Sequence, residues 1–355
     1  MISKVGKKYF YHLMTIASIV IPVSLGLFIN IYIALIVFFI TPLFWRIPLN
    51  LGAFLKIFCS TIDLFYNYLI DQDNVKIFFV ETMDGAKLET TEDLTAKNDM
   101  YAIIFCGTGA HLAFYQGGIF LFSKFNLRAL YRKAGYNIIG FNYRGCYGSI
   151  GRKISTEDSV TDGVTQVNRL LDQGVDASNI ILHGHSLGGA IAIKVFDYFA
   201  NKNIIIGLCI NENSFGRVWE AFSSFKALNN IIKVLLNLAQ NNIEVIKEYQ
   251  KLYELDLQLN EKHHLILQVV NNDGVISKVG FLSNALKKTP EIYEEFVLEY
   301  YLKDFEFSHL VSFISAKKLG LVVNHKPADK LHYSNKHQLL IDELLNYKLG
   351  NRGYF

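Results

Sequence analysis

No Lys, Arg, Asp or Glu occurs between Tyr9 and Trp45 of this 355-residue chain. The gap argues against a plain soluble start, because a helix that is apolar all round needs lipid or a very large protein about it. Cysteine is scarce as well. Cys59, Cys106, Cys146 and Cys209 are scattered, with no CxxC or CxH spacing, which excludes a disulfide frame and a zinc site. They read as reduced thiols packed as small hydrophobes. Net charge is only +3, and no basic block with interleaved aromatics exists, so nucleic-acid binding is set aside. The chain has no internal repeat and no low-complexity tract. Nothing in it suggests a metal or an organic cofactor.

What is present begins with that uncharged run. Hydrophobic residues make up 51% of the chain, against about 45–50% in a soluble domain, and the excess is concentrated at the front. A bilayer core needs roughly 20 apolar residues as helix, a signal-peptide core about 7–15. The run exceeds both, and no small-x-small cleavage site follows it. Pro22 and Asn30 interrupt it, so a helical hairpin or re-entrant pair fits; one tilted span plus an interfacial segment also fits. The residues Phe54, Ile57, Phe58, Ile62, Phe65 and Leu69 extend the greasy character as an amphipathic stretch. A buried helix pair is the soluble alternative. Residues 1–70 are therefore expected to anchor the chain in a membrane. Lys4, Lys7 and Lys8 before the run, with Arg46 and Lys56 behind it, put the rest on the cytoplasmic side.

Residues 71–355 read as one α/β domain. Lys76–Glu81 and Lys87–Thr91 flank Met83-Asp84-Gly85 as a hairpin. Continuous apolar runs at Met100–Cys106, Tyr136–Tyr143, Asn179–His183, Ile204–Ile210 and Leu265–Val270 read as strands covered on both faces. Helical patterns at about 119–133, 158–171 and 187–199 alternate with them. That order gives a mostly parallel central sheet flanked by helices. Only helical patterning occupies Trp219–Leu259, which is expected to form a cap insertion over the site.

The strongest motif is Gly184-His185-Ser186-Leu187-Gly188-Gly189, between the strand NIILH and a helix. Strand, G-x-S-x-G and helix in sequence are the context of a nucleophile elbow, where bulky flanking residues would collide. The alternative is a Gly-rich helix start with a capping serine. A second motif, Asn142-Tyr143-Arg144-Gly145-Cys146-Tyr147-Gly148-Ser149-Ile150-Gly151, follows the fourth strand. On these two motifs the chain resembles the α/β-hydrolase superfamily. It is similar in particular to membrane-anchored α/β-hydrolase-domain lipases and related bacterial hydrolases, effectors among them. The second motif matches the family's N-Y-R-G-x-G-x-S-x-G, with Tyr147 in place of one glycine.

The resemblance implies a Ser-acid-His triad in that chain order, with Ser186 as nucleophile. Asp273, in Asn271-Asn272-Asp273-Gly274-Val275-Ile276, stands where the acid belongs. The oxyanion hole would take the N–H of Leu187 and, after the strand MYAIIFC, the N–H of Thr108; Cys106-Gly107 replaces the family's His-Gly pair. The base belongs in a loop before the last helix. Ser334 or Asn335 caps that helix, which favours His332, just before it, over His337 inside it; His309 and His325 are the alternatives. The implied reaction is hydrolysis of acyl esters at a membrane, on a lipid or acylated substrate, lipase- or lysophospholipase-like. An acyl-protein thioesterase and a non-catalytic membrane-bound binding protein with the same fold are the other readings.

Overall fold

The computed structural model describes residues 75–94, 98–107, 127–221, 226–269, 276–302, 322–325, His337 and Leu340. The chain divides into Met1–Ser60 and Thr61–Phe355, and all described residues belong to the second unit. The expected anchor, 1–70, lies outside them. Among the described residues no helix is long and apolar enough to cross a membrane.

Nine strands form one sheet in the order β1-β2-β4-β3-β5-β6-β7-β8-β9. The hairpin β1 (Val75–Glu81) and β2 (Lys87–Asp93) is antiparallel and joins β4 (Asn137–Phe141) antiparallel. From β4 the sheet runs parallel through β3 (Tyr101–Phe105), β5 (Ile180–His185), β6 (Leu208–Glu212), β7 (His264–Val269) and β8 (Val297–Leu302). The edge strand β9 (Val322–His325) is antiparallel to β8.

The five expected apolar strands are all present, but one is shifted. The run Ile204–Ile210 was expected to form a strand throughout; β6 starts only at Leu208. Gly207 is the reason. A Cβ there would stand 2.2 Å from the carbonyl oxygen of Ser178 and 2.3 Å from His337 Nε2. The chain crosses against the start of β5 at this point, and Ile206 is buried in the core without joining the sheet.

Helices cover the sheet where the sequence alternates. The first is α1 (Leu127–Lys133). The next, α2 (Thr156–Asp172), opens where Asp158 accepts from the N–H groups of Ile154 and Ser155 at 2.6 and 2.8 Å, a charge at the end where the helix dipole favours it. It buries Val160, Val164, Val167 and Leu170, the i, i+4, i+7, i+10 stripe of an amphipathic helix. Beside it α3 (Leu187–Ala200) is almost wholly apolar and correspondingly buried.

Within 219–259 the helices do different work. After the short α4 (Val218–Ala221) come α5 (Lys226–Leu238) and α6 (Ile246–Leu259). The latter is the crossover helix between β6 and β7, so the expected cap does not extend over the whole block. Its Glu248 pairs with Lys194 of α3 at 2.6 Å, and Tyr249 OH accepts from Asn211 of β6 at 2.9 Å. At its end Asp256 faces His263 Nδ1 at 2.7 Å and His264 Nδ1 at 3.1 Å. Two short helices, α7 (Leu282–Leu286) and α8 (Pro290–Phe296), lead into β8.

Asp256 makes acid stability testable. Burial alone would push its carboxyl up, but the imidazoles of His264 and His263 outweigh it and hold the group at about 2. A carboxyl depressed in the fold contributes stability above its unfolded value of 3.8 and loses it as pH falls toward 2. The difference is worth roughly 2 kcal/mol. Asp256→Asn is therefore expected to lower the urea midpoint at pH 7, and the gap from wild type should close between about pH 4 and 2. A gap that stays constant over that range would show that the carboxylate charge does not hold this corner.

The three described cysteines, Cys106, Cys146 and Cys209, are free. Cys106 and Cys209 are buried, as the small-hydrophobe reading expects.

Candidate active site

Between the last residue of β5 and the first of α3 a single residue, Ser186, turns the chain. Its backbone sits at φ 55° and ψ −121°, far from the left-handed helical well near ψ +47°. Asn260, at φ 53° and ψ 31°, shows that well in the same molecule. Such a state costs on the order of 1–3 kcal/mol and persists only where the surroundings over-determine it.

Those surroundings come from β6, β3 and the helix that the turn opens. Ser186 N–H donates to the Glu212 carbonyl at 2.9 Å, and Ser214 Oγ donates to the Ser186 carbonyl at 2.8 Å. Both partners lie at the end of β6 or just beyond it. A Cβ on Gly188 would stand 2.0 Å from the Phe105 carbonyl oxygen of β3, and one on Gly184 would stand 2.3 Å from the Gly188 carbonyl oxygen. The turn is so close to β3 and to its own helix that backbone occupies the space a side chain would need. Gly188→Ala therefore has no flexible neighbour to displace. It is expected to cost about 3 kcal/mol, a fall in Tm of roughly 6–12 °C; an unchanged thermal midpoint would show that the turn has slack.

Ser186 itself is nearly buried, at 9% exposure. Leu187 opens α3, where first-turn N–H groups have no helical acceptor and the dipole favours negative charge. The loop after β3 starts beside the serine, since a Cβ on Gly107 would lie 3.2 Å from Ser186 Cβ. Thr108, the expected second donor, is outside the described residues.

The loop after β4 is braced more heavily than its motif suggested. Arg144, only 3% exposed, donates from Nε and from its backbone N–H to Asp162 of α2 at 2.7 and 2.8 Å, and its guanidinium also pairs with Asp84. Ser149 Oγ donates to the Asn142 carbonyl at 2.7 Å, and Asn142 Nδ2 donates to Glu89 Oε2 at 2.7 Å. The motif's Asn, Arg and Ser thus tie the hairpin β1–β2 to α2, which is structural work. On the opposite face of β5 from Leu182, His183 meets Tyr131 OH at 2.8 Å through Nδ1 and the Glu212 carboxylate at 3.4 Å through Nε2. Asn211, Glu212 and Ser214 were missed by the sequence reading, because the run chosen for their strand ended at Ile210.

Asp273, His309 and His332 are also outside the described residues, and of His325 only the backbone is described, opposite Tyr300 on the edge strand. The described residues on either side mark where the chain leaves the sheet and where it is next seen. It leaves β7 at Val269 and β8 at Leu302, at the carboxyl end of the parallel strands, where Ser186 also lies. By His337 it has reached the other end. His337 is buried, with Nε2 3.0 Å from the Ser178 carbonyl before β5 and Nδ1 2.9 Å from Tyr136 OH before β4.

A strained serine turn after β5, in a sheet ordered β1-β2-β4-β3-β5-β6-β7-β8, has the architecture of an α/β hydrolase. The chain belongs to the family described as Chlamydia CHLPS protein (DUF818), whose model matches residues 82–319. The fold agrees with the crystal structure of an alpha-beta hydrolase (ABH) from Vibrio vulnificus, at TM-score 0.55 and 17% identity over 79% of this chain and 90% of that one. Two curated relatives are multifunctional-autoprocessing repeats-in-toxin proteins. That of Vibrio cholerae serotype O1 is 27% identical over 152 residues, 42% of this chain and 3% of its own length. That of Vibrio vulnificus is 38% identical over 87 residues, 24% of this chain and 2% of its own length. The chain thus spans only a small part of both relatives.

Proposed function

We propose that this chain is a membrane-associated serine hydrolase that cleaves acyl esters, lipid esters foremost, with Ser186 as its nucleophile. The observation that carries the proposal is the backbone of Ser186: a strained, nearly buried serine at the carboxyl end of the sheet, over-determined by β3, β6 and its own helix. Strain of this kind is retained at functional sites. In the reaction Ser186 Oγ gives its proton to a histidine and attacks the ester carbonyl. The N–H groups of Leu187 and Thr108 hold the oxyanion and Asp273 orients the imidazole. The intermediate collapses with loss of the alcohol, which takes the proton from the histidine. Water activated by the same histidine then attacks the acyl-enzyme to release the acid and restore Ser186.

The base is His309 in preference to His332, and chain length supports the change. His332 precedes His337 by five residues, at most ~18 Å of chain, while β5 alone rises about 17 Å from Ile180 to His185. His332 would need almost all of that chain stretched straight along the sheet to approach Ser186. His309 follows Leu302 by seven residues, a reach of up to ~25 Å, and β8 lies three strands from β5, roughly 14 Å. Its chain also leaves from the correct end.

The lipid part of the proposal rests on the uncharged run Tyr9–Trp45, with the catalytic domain on the cytoplasmic side. A panel of p-nitrophenyl esters from short to long acyl chains, followed by phospholipid and lysophospholipid vesicles, tests it. Turnover rising with chain length and persisting on vesicles is expected; turnover of short soluble esters alone would remove lipids as the substrate class.

A further inference from the structure

An amphipathic helix normally buries its whole apolar arc; among its described side chains, 229–238, α5 leaves part of that arc exposed. On one side Asn229 is buried, and Ile232 and Leu236 pack partly buried on the core. On the adjoining arc Ile231, Val234 and Leu238, spaced i, i+3, i+7, are 58%, 58% and 75% exposed. Asn230, Lys233 and Asn237 complete the circumference as a polar, exposed face. The exposed stripe does not end with the helix. Thr156 N–H donates to the Gln240 carbonyl at 3.1 Å, tying the segment before α2 to the end of α5. That segment carries Ile150 and Ile154, 61% and 58% exposed.

Both pieces stand at one end of the sheet. Residues 142–155 follow β4 and α5 follows β6, so both emerge at the carboxyl end, where Ser186 lies. Large exposed apolar side chains gathered in this way mark an interaction surface rather than scattered surface residues. Charge indicates the partner. From Ala221 to Ile243 there is no Asp or Glu, and the only charges are Lys226 and Lys233; Ile150–Ile154 contributes Arg152 and Lys153 and no acid. Lys233, whose ammonium lies over the Trp219 ring at 4.6 Å, and Arg152 are exposed beside the apolar stripe; the Lys153 ammonium is instead desolvated near Cys146, Asp162 and Asp158. Of the two acids that follow, Glu157 is exposed and Asp158 is engaged by the N–H groups of Ile154 and Ser155. Apolar residues in a stripe, with Lys233 and Arg152 beside them and Glu157 as the exposed acid at the edge, match the interface of an anionic bilayer.

We infer that α5 and the loop 150–154 form a seat that rests on an anionic lipid surface, with Ile231, Val234, Leu238, Ile150 and Ile154 entering the headgroup boundary and Lys233 and Arg152 on lipid phosphates. The contact turns the carboxyl end of the sheet, where Ser186 lies, toward the bilayer. It is separate from the run Tyr9–Trp45 and does not depend on turnover.

The test uses full-length chain on phosphatidylcholine vesicles with and without phosphatidylglycerol, with acyl chains brominated to quench tryptophan. Val234→Trp and Ile231→Trp each add emission to the wild-type background, and Asn230→Trp adds emission on the polar arc of the same helix. On the anionic vesicles Val234→Trp and Ile231→Trp should lose most of their added emission and Asn230→Trp should keep it. Much weaker loss is expected on phosphatidylcholine alone. Equal behaviour of all three variants, or no dependence on phosphatidylglycerol, would overturn the inference. So would unquenched emission in a chain that sediments as a dimer and becomes monomeric with Leu238→Ser, since the stripe would then face a second copy.

Discussion

Replacing Ser186 by alanine is expected to reduce ester hydrolysis roughly 10,000-fold or more, with little change in thermal stability. The two halves of that result test different things. The loss of turnover follows because no other group in the proposed mechanism forms the acyl intermediate. The small stability effect follows from the position of the side chain, since the partners that hold the turn bond the backbone of residue 186. Glu212 accepts from its N–H, and Ser214 donates to its carbonyl. Alanine retains both bonds. A variant that loses activity together with several degrees of Tm would instead make Ser186 a structural cap, and the binding-protein reading would gain.

His309→Ala is expected to be nearly as damaging, because nucleophile and base act as a unit and losing either costs about as much as losing both. His332→Ala and His325→Ala should keep most of the activity. His325 lies on the edge strand, four strands from β5 and thus roughly 19 Å away across the sheet. His332 precedes by five residues, at most ~18 Å of chain, a His337 fixed between Tyr136 and Ser178. Steady-state rates for the three variants on one soluble ester distinguish them. If His332→Ala is the inactive one, residues 332–337 run extended along the sheet, and the tether argument is wrong.

The fold was legible where the sequence carries one dominant signal. Continuous apolar runs gave β3, β4, β5 and β7, and the Gly-Ser-Gly turn between a strand and an apolar helix pointed to the elbow. Two features were not legible. The run Ile204–Ile210 looks uniform, and its first half fails to join the sheet because of where Gly207 passes the start of β5, a contact made by residues far apart in the chain. The block 219–259 reads as helical throughout, but period alone does not say which helix covers the sheet. That is decided by pairs such as Lys194–Glu248 and Asp256–His263, again between distant or newly adjoining elements.

The site divides in the same way. Ser186 is local, and its flanking residues announce it. The acid and base are joined to it only through the sheet, so the sequence offers several histidines and no ruler. Helix capping favoured His332; strand direction and the pinned His337 favour His309. Asn211, Glu212 and Ser214 carry no motif at all. They matter because β6 lies beside β5 in this strand order, with its end level with the turn.

The most direct test of the central claim is covalent. Full-length, detergent-solubilised protein is treated with a fluorophosphonate, digested, and the modified peptide located by mass spectrometry. A single adduct on Ser186, absent from Ser186→Ala, is the predicted result. An adduct on another serine, or none on folded wild-type protein, would contradict it.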